Sequence, residues 1–494
     1  MTVPFQNVPA NERVPLFYAE VDNSQAGYFA QSVRTLLIGQ KLAAGTATAN
    51  VPQLVSRSDQ AKTLFGVGSM LARMHAKYRE GDASGEVWCI ALDDPGAGAS
   101  ATGSFALTGT ATAGGTLNAY IGADRVQVGV AASDTAATVA TALAAAINAN
   151  TDLPVTAAAS TGTVTLTARN KGALGNDLLL QMNQKGAAGG EYTPAGITAT
   201  VNAMSGGSAV PSLAAAVAAM GDDEYDFIIE PYADTTTLDL MRTTMNDTTG
   251  RWAWNRQIYG HVYSALRGTF SAVQAAGAAR NDQHVTVAGF ETLVPNPVWE
   301  YAAAYGARNA VFIAADPARP TQTGELTGIT AAPASNRYIQ TERQTLLNSG
   351  IATSYVSGGV VRVERAITTY QKNLWGQADA SYLDSETLHQ LAAIIRRLRS
   401  RITTKYPRHK LANDGTRFGA GAAIVTPSVI RGELAAEYAD MEDEGLVENA
   451  KAFADNLIVE RNADNPNRLD VLFPPDLVNQ LRIFAVLAQF RLQY

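Results

Sequence analysis

Cysteine and histidine are scarce in this sequence, which limits the kinds of site that it can hold. Cys89 is the only cysteine among 494 residues, so an intrachain disulfide and a CxxC-type metal site are excluded. Cys89 lies in the apolar run EVWCIAL, where we expect a small buried core residue. No HxxxH or HxH pair occurs among the five histidines, His75, His261, His284, His389 and His409. We expect His261 to be a structural residue of a strand, and His284 and His409, which lie in polar stretches, to be solvated.

Motifs of enzymes and nucleotide-binding proteins are also missing. There is no GxSxG nucleophile elbow and no GxxxxGKS or GxxxxGKT phosphate loop, and FGAGAA (Phe418 to Ala423) lacks the third glycine of a dinucleotide turn. The pair Asp222 and Asp223 before a strand is a conceivable metal site, but a solvated loop between a helix and a strand is the favoured interpretation. We therefore predict no enzyme, no metal site and no cofactor.

Charge and long apolar runs are both limited. Charged residues make up 17% of the chain and the net charge is -7. An acidic chain has no overall attraction to nucleic acid, while uncharged surfaces suit assembly with other proteins. No apolar run approaches the roughly 20 residues that span a bilayer, and the N-terminal segment lacks a basic region followed by an apolar block. We expect a soluble cytosolic product with neither a membrane nor a nucleic acid as partner.

Apolar strands and amphipathic helices alternate through much of the chain. VRTLLIG and EVWCIAL are uninterrupted apolar runs, and the helical pattern SMLARMHAKYRE lies between them. Strands without polar alternation are typical of a parallel sheet covered on both faces. The same rhythm resumes after residue 208, where we predict strands at QIYGHVYSA, HVTVAGF and NAVFIAA, the last over Asn309 to Ala315. Residues 28–95 and 209–335 are therefore predicted to form one discontinuous α/β core domain.

Two further regions differ in pattern from this core. Residues 96–208 are rich in Ala, Gly and Thr and contain two hairpin patterns around a helix, which indicates an inserted α+β, β-rich surface module. Residues 336–480 combine a strand at VVRVERAITTY with a long helical pattern over Ser381 to Tyr406 and a strand candidate over 462–473. This combination predicts a C-terminal α+β domain.

Both ends of the chain have the pattern of extended arms. Residues 1–27 contain three prolines that prevent a helix and a strand candidate at LFYAEV, Leu16 to Val21. In the last segment, 481–494, every even position from Phe484 to Tyr494 is apolar and the odd positions turn polar towards the end. This is strand periodicity. Chain ends are usually polar and frayed, so an apolar terminal strand requires a partner.

Two runs of charge stand out in the C-terminal domain. Basic residues predominate over 396–410, and acidic residues predominate over 433–448. Either both runs are solvated helix faces, or the basic face meets an acidic partner. Nucleic acid is a weaker candidate for the basic face, because no aromatic residue is interleaved before Tyr406 and the whole chain is acidic.

Five longer segments carry a family resemblance. They are VPLFYAEVDNSQA (14–26), VERAITTYQKNLWGQADASYLD (363–384), YPRHKLANDGT (406–416), GLVENAKAF (445–453) and VERNADNPNRLDVLFPPDLVNQLRIFAVLAQF (459–490). These segments resemble the contractile tail sheath proteins of Mu-like bacteriophages. The resemblance includes both ends of the chain, whereas residues 96–208 match less distinctively.

The resemblance implies a fold, a function and a set of partners. It implies a tail sheath subunit that polymerises as stacked six-fold rings around a tail tube and contracts to drive the tube through the host envelope, without nucleotide hydrolysis. The core would be a subtilase-like sheet that is not catalytic. Partners would be neighbouring sheath subunits, the tail tube protein, and the baseplate and tail terminator proteins. The protein would assemble in the host cytoplasm and reside in the virion tail.

The resemblance also implies roles for particular residues. Strand arms that reach neighbouring subunits would contain Leu16, Phe17, Tyr18, Val21, Phe484, Val486, Phe490, Leu492 and Tyr494. A strand of the C-terminal domain would accept such an arm at Val361, Val363 and Ile367. We further hypothesise that a basic face is directed at the tail tube, formed by Arg396, Arg397, Arg399, Arg401 and Lys405.

Two other functions stay open on the sequence alone. A prophage-derived contractile injection system would use the same kind of sheath subunit. An α/β hydrolase-like enzyme with an inserted domain is the third possibility, and the missing nucleophile motif and unpaired histidines count against it.

Overall fold

The structure is a computed structural model that describes residues 33–419 and 421–492. The predicted N-terminal arm, with Leu16, Phe17, Tyr18 and Val21, lies outside the described residues, as does Tyr494. The strands are β1 (Arg34–Gln40), β2 (Pro52–Leu54), β3 (Glu86–Leu92), β4 (Thr102–Gly109), β5 (Gly115–Ile121), β6 (Asp124–Val130), β7 (Val155–Ser160), β8 (Thr163–Ala168), β9 (Leu180–Met182), β10 (Ile197–Ser205), β11 (Phe227–Ile229), β12 (His261–Gly268), β13 (Val285–Glu291), β14 (Thr353–Ser357), β15 (Val360–Arg365), β16 (Lys410–Leu411), β17 (Ile424–Val425), β18 (Ile458–Arg461) and β19 (Leu469–Leu472). The helices are α1 (Ser58–Phe65), α2 (Met70–Gly81), α3 (Ala136–Ala149), α4 (Ala214–Ala219), α5 (Thr235–Met245), α6 (Phe270–Ala278), α7 (Val298–Ala315), α8 (Gln340–Asn348), α9 (Ser385–Lys405), α10 (Pro427–Asp443) and α11 (Ala450–Asn456).

A six-stranded sheet forms the centre of the molecule, with the strand order β13-β12-β11-β1-β3-β2. Its strands pair in parallel except β2, which is antiparallel to β3. The apolar runs that predicted these strands are buried, and Cys89 on β3 is fully shielded from water. The predictions of a parallel sheet and of a core cysteine are therefore confirmed.

Helix α7 contradicts one predicted element. The run NAVFIAA, predicted as a strand over Asn309 to Ala315, is the last part of this helix. Thirteen of the 18 residues of α7 are buried, and its sequence lacks the polar stripe that marks a surface helix. A short apolar run then fits a strand or a helix equally well. The helix lies so close to the sheet that a Cβ atom at Gly306 would collide with the side chain of Ile229 on β11.

The inserted region consists of two antiparallel sheets and one helix. The sheets have the orders β10-β4-β8-β7 and β6-β5-β9, and α3 packs against strands of both. Both predicted hairpins are confirmed, β5–β6 and β7–β8. The insert is attached firmly to the core, because Arg73 of α2 contacts Asp124 of the insert at 2.6 Å and the buried Glu300 of α7 at 2.5 Å.

The C-terminal region has a small core of its own. Tyr438 of α10 stacks on Phe453 of α11, with ring centroids 3.7 Å apart, and Phe473 packs edge-on against Phe453. Ile394 of α9 contributes to the same cluster. The antiparallel pair β18–β19 packs against this cluster, whereas the antiparallel pair β14–β15 packs with the large core around the central sheet. Together the described elements form a mixed α/β fold, as predicted.

His284 is buried rather than solvated, which corrects the sequence prediction. Its Nε2 atom lies 2.9 Å from Oδ1 of Asp247, and its ring lies 5.0 Å from the ring of Trp252. The polar residues before His284 form a loop, but its side chain packs against Trp252. A local sequence pattern does not reveal a contact with a residue that far away in the chain. His409 is exposed and His261 is buried, as predicted.

Candidate assembly interface

Helices α9 and α10 are joined by a ladder of ion pairs. Arg397 contacts Glu437 and Glu444, Arg401 contacts Glu433 and Glu437, and Lys405 contacts Glu433. From Arg397 to Lys405 along α9, the glutamate partners on α10 move from Glu444 and Glu437 back to Glu433. The two helices therefore run antiparallel. The basic residues follow a spacing of four, which places them on one face of α9. The acidic partner of the basic run is therefore the acidic run of the same chain.

The carboxylates in this ladder are shielded from water. The side chains of Glu433 and Glu437 are 8% and 4% exposed. Burial alone would raise the pKa of Glu433, but hydrogen bonds from Lys405, Tyr406 and Arg401 hold that pKa below its ordinary value. The pKa of Arg401 is raised, because its contacts with Glu433 and neighbouring carboxylates outweigh its partial burial. Both partners are thus held in the charged form.

Arg396 on the same helix points towards the central sheet instead. Its guanidinium contacts Glu224 and Asp226 at 2.7 Å each and lies 5.6 Å from the ring of Tyr259. These contacts attach α9 to the loop before β11. Four of the five basic residues assigned to the tube-facing surface therefore have carboxylate partners within the chain. Arg399 is exposed and has no such ion pair among the described residues.

Strand β15, the predicted acceptor for an incoming arm, has no open edge. One edge pairs with β14. The other edge bonds to the segment 323–326, with Thr323 N–H donating to Val363 O at 2.8 Å and Leu326 N–H donating to Val361 O at 2.9 Å. Val361, Val363 and Ile367 are also buried within this chain. An arm would have to displace an existing partner, so we withdraw this assignment.

The hairpin β18–β19 does have open edges. It is a two-stranded sheet, and the outer edges of both strands lack a backbone partner in residues 33–419 and 421–492. Ile458 and Leu472, which are paired across the hairpin, are both exposed. The predicted strand over 462–473 is shorter in the structure because NADNPN forms the turn. Its clustered Asn, Asp and Pro residues are a turn signal, and with IVER and LDVL on either side they indicate a hairpin.

The C-terminal segment leaves the body of the protein after Arg482. No strand or helix forms over 483–492. Phe484, Val486, Phe490 and Leu492 are between 69% and 92% exposed. Such a row of exposed apolar side chains is unfavourable in water and is typical of a surface that another protein covers. Within the described residues, the arm does not pair with its own chain.

Other kinds of site find no support in the described residues. No group of three His, Cys, Asp or Glu side chains in that part of the chain is arranged to hold a metal ion. Asp222, one of the two aspartates considered as metal ligands, lies in the loop before β11 and pairs with Arg256 at 3.0 Å. None of the described helices combines the length and apolar character needed to cross a membrane.

Comparison with known proteins agrees with these features. Three family models match consecutive parts of the chain: the phage tail sheath protein beta-sandwich domain over 94–200, the phage tail sheath protein central domain over 206–369, and the phage tail sheath C-terminal domain over 377–491. The Mu-like prophage FluMu tail sheath protein of Haemophilus influenzae is 42% identical over 493 residues, which cover 99% of this chain and all of the relative. The chain belongs to the phage tail sheath family.

A solved sheath protein shares the fold of this chain at low identity. The sheath tail protein of Desulfitobacterium hafniense is 12% identical, with a TM-score of 0.50 over 95% of this chain and 97% of that chain. The sheath tail protein of Listeria innocua is also 12% identical, with a TM-score of 0.46 over 91% and 93% of the two chains. The 42% identical relative and the three family models confirm the resemblance to Mu-like tail sheaths, and this sheath protein is a structural component of a contractile phage or prophage tail.

Proposed function

We propose that this sheath subunit polymerises by donating its C-terminal arm to the hairpin β18–β19 of a neighbouring subunit. The observation that carries the proposal is the combination of an unpaired apolar arm and a hairpin with open edges on the same chain. Added strands satisfy main-chain groups by pairing, and alternate side chains enter pockets beside the acceptor. The proposed acceptor is therefore the hairpin β18–β19, and not the strand with Val361 and Val363 that the family resemblance implied.

The chemistry of the arm suits this exchange. Burying a phenylalanine completely is worth about 1.5–3 kcal/mol, and Phe484 and Phe490 are each more than four-fifths exposed in the free chain. Ile458 and Leu472 offer an exposed apolar pair beside which an arm can lie. Because donor and acceptor are different surfaces, the contact is head-to-tail, and such contacts build rings or helical tubes rather than closed dimers.

The remaining elements of function follow from this assembly. In this proposal the subunits stack as six-fold rings around the tail tube, with the baseplate and tail terminator at the two ends. Contraction then drives the tube through the host envelope. Exchanged arms keep subunits connected while their bodies rotate between two packings. Assembly would take place in the host cytoplasm. A prophage-derived contractile injection system is the alternative, since the same subunit serves both.

Three further assignments are part of the proposal. The core domain comprises 28–95 and 209–335 and has a subtilase-like, non-catalytic sheet, while 96–208 is the inserted surface module. The C-terminal sheath domain comprises 336–480. A basic surface of this domain faces the tube, and Arg399 is its best remaining representative, because the other basic residues assigned to it are paired within the chain. An enzymatic function is not proposed.

Electron microscopy of the purified full-length chain tests arm exchange. The unaltered chain is expected to form tubes or stacked rings at micromolar concentration. Removing the last 11 residues, or substituting Phe484→Ser and Phe490→Ser together, should leave a folded protein that does not polymerise. The matched control substitutes Gln489→Ser and Arg491→Ser on the polar positions of the arm and should still polymerise. Tubes formed equally well by the truncated chain would refute the exchange of this arm.

A further inference from the structure

Arg482 is the last side chain of the described C-terminal segment that is held against the body of the protein. Its side chain is 10% exposed, whereas Leu481 before it and Ile483 after it are 71% and 79% exposed. Every described residue from Ile483 to Leu492 is exposed. The segment is therefore held at one side chain beyond residue 480.

Arg482 is held by two carboxylates at the start of helix α9. Its Nη2 atom donates to Oε1 of Glu386 at 3.0 Å and lies 3.3 Å from Oδ1 of Asp384. Asp384, the residue that precedes the first turn of α9, is also held by Arg365, whose Nε lies 2.7 Å from Oδ1. The guanidinium of Arg482 is therefore one member of a partly buried network of four charges.

Glu386 connects this network to the core of the protein. Its side chain is completely buried. The same Oε1 atom that binds Arg482 also accepts hydrogen bonds from Thr321, from the backbone N–H at 3.0 Å and from the hydroxyl at 2.8 Å. Thr321 lies in the segment that follows α7. Removing Arg482 would leave a buried carboxylate without its cation, which proteins strongly disfavour.

The two residues before Arg482 are bonded to the same segment. Gln480 donates from Nε2 to the carbonyl of Ala318 at 3.1 Å, and the carbonyl of Leu481 accepts from Nε2 of Gln322 at 3.3 Å. Gln480 and Leu481 therefore bond to the segment after α7 directly, and Arg482 reaches it through Glu386. None of these contacts involves the hairpin β18–β19.

We propose that Arg482 is the positioning residue that fixes the exit point of the exchanged arm. The inference rests on the proposed arm exchange and deepens it. The exchangeable segment begins at Ile483 rather than at residue 481, because moving Arg482 away would leave the buried Glu386 without its ion-pair partner. Twelve residues, 483–494, then remain to reach the neighbour, and they span about 40 Å when extended.

The ion pairs of Arg482 also determine which part of the donor subunit the start of the arm moves with. Because Glu386 bonds to Thr321 in the segment after α7, the origin of the arm is connected to the core domain of its own subunit. The acceptor hairpin belongs to the C-terminal region of the next subunit. Rotation of one central region would then be transmitted to the neighbour through a short strand with a fixed origin.

Spin labelling of the arm tests the anchor directly. Cys89 is buried, so a cysteine introduced at Ala485 or at Gln489 is the only site that a nitroxide reagent reaches in the folded chain. In the unassembled fraction we expect a restricted spectrum at position 485 and a mobile spectrum at position 489. Arg482→Gln should make position 485 as mobile as position 489, and Arg482→Lys should restore part of the restriction. Arg491→Gln, a matched change beyond the boundary, should alter neither spectrum.

Assembly of the same variants tests the positioning role. Arg482→Gln should reduce the yield of ordered tubes at least tenfold while thermal unfolding still shows a folded chain, and Arg482→Lys should recover tubes in part. An unchanged spectrum at position 485 in Arg482→Gln would overturn the anchor. A changed spectrum with normal tubes would overturn its role in positioning. Polymerisation of a chain that lacks 484–494 would instead refute arm exchange itself, so the two failures are distinguishable.

Discussion

Reversing the charge of Arg401 should weaken the contact between α9 and α10. Arg401→Glu would place a third carboxylate between Glu433 and Glu437, which are almost completely shielded from water. Removing one partner of a buried ion pair destabilises a protein by about 3–5 kcal/mol. Arg401 itself is partly exposed and Lys405 still contacts Glu433, so water and this second cation relieve part of the effect. We expect a local loss of about 2–3 kcal/mol.

Hydrogen exchange of backbone amides in α9 and α10, measured on the unassembled full-length chain, reports this loss locally. It avoids the assumption that a chain of several domains unfolds in one step. The matched control is Arg399→Glu on the same helix, which is exposed and should change protection by less than about 0.5 kcal/mol. The double variant Arg401→Glu with Glu433→Arg should recover part of the protection, because it restores one pair of opposite charges.

A loss of protection in Arg401→Glu as small as the loss expected for Arg399→Glu would refute this reasoning. The ion pairs seen between the helices would then contribute nothing measurable to their contact, and both runs would behave as solvated faces. Arg399→Glu could instead leave protection unchanged and prevent assembly on the tail tube. Because Arg399 has no ion pair among the described residues, that result would support a tube-facing basic surface.

Three further outcomes are expected. Arg73→Ala should destabilise the chain by about 3–5 kcal/mol in urea unfolding, because it leaves the buried Glu300 without its cation, whereas Arg73→Ala and Glu300→Ala together should cost less than Arg73→Ala alone. Burial lowers the pKa of His389 to about 3 and that of His261 well below its ordinary value. In the unfolded chain each histidine binds a proton below about pH 6.5, so the free energy of unfolding should fall by about 2 kcal/mol for each histidine between pH 7 and pH 5. A free energy of unfolding that rises over this pH range would contradict the reasoning. Burial raises the pKa of the Cys89 thiol, so a thiol reagent should react only after unfolding, and rapid reaction of the native chain would disprove its burial.

Local sequence patterns were sufficient to predict strands and hairpins, whose apolar and turn residues recur at regular spacing along the chain. Continuous apolar runs predicted β1 and β3 as buried parallel strands, and turn residues between alternating segments predicted the hairpins of the insert. The long motifs at the C-terminus identified the family. These signals are local, because each depends on neighbours within about ten residues.

Other features depended on which distant segments meet, and no local pattern encodes this. The run over Asn309 to Ala315 is helical because it continues α7, which packs against α2 and β12. The edges of β15 are closed by β14 on one side and by residues 323–326 on the other. A one-dimensional pattern reports how apolar a segment is, but not whether an edge is already occupied.

The sequence by itself determined that the chain has an α/β core, an inserted module, two charged runs and an apolar terminal arm. Only the tertiary structure decided that the two charged runs neutralise each other, through Arg397 and Arg401 with the carboxylates of α10. It also decided that the arm begins after Arg482. The physical reason is that ion pairs and strand pairing act through space over a few ångströms. The partner of each group is therefore fixed by the packing of elements far apart in the chain, and not by its neighbours in sequence.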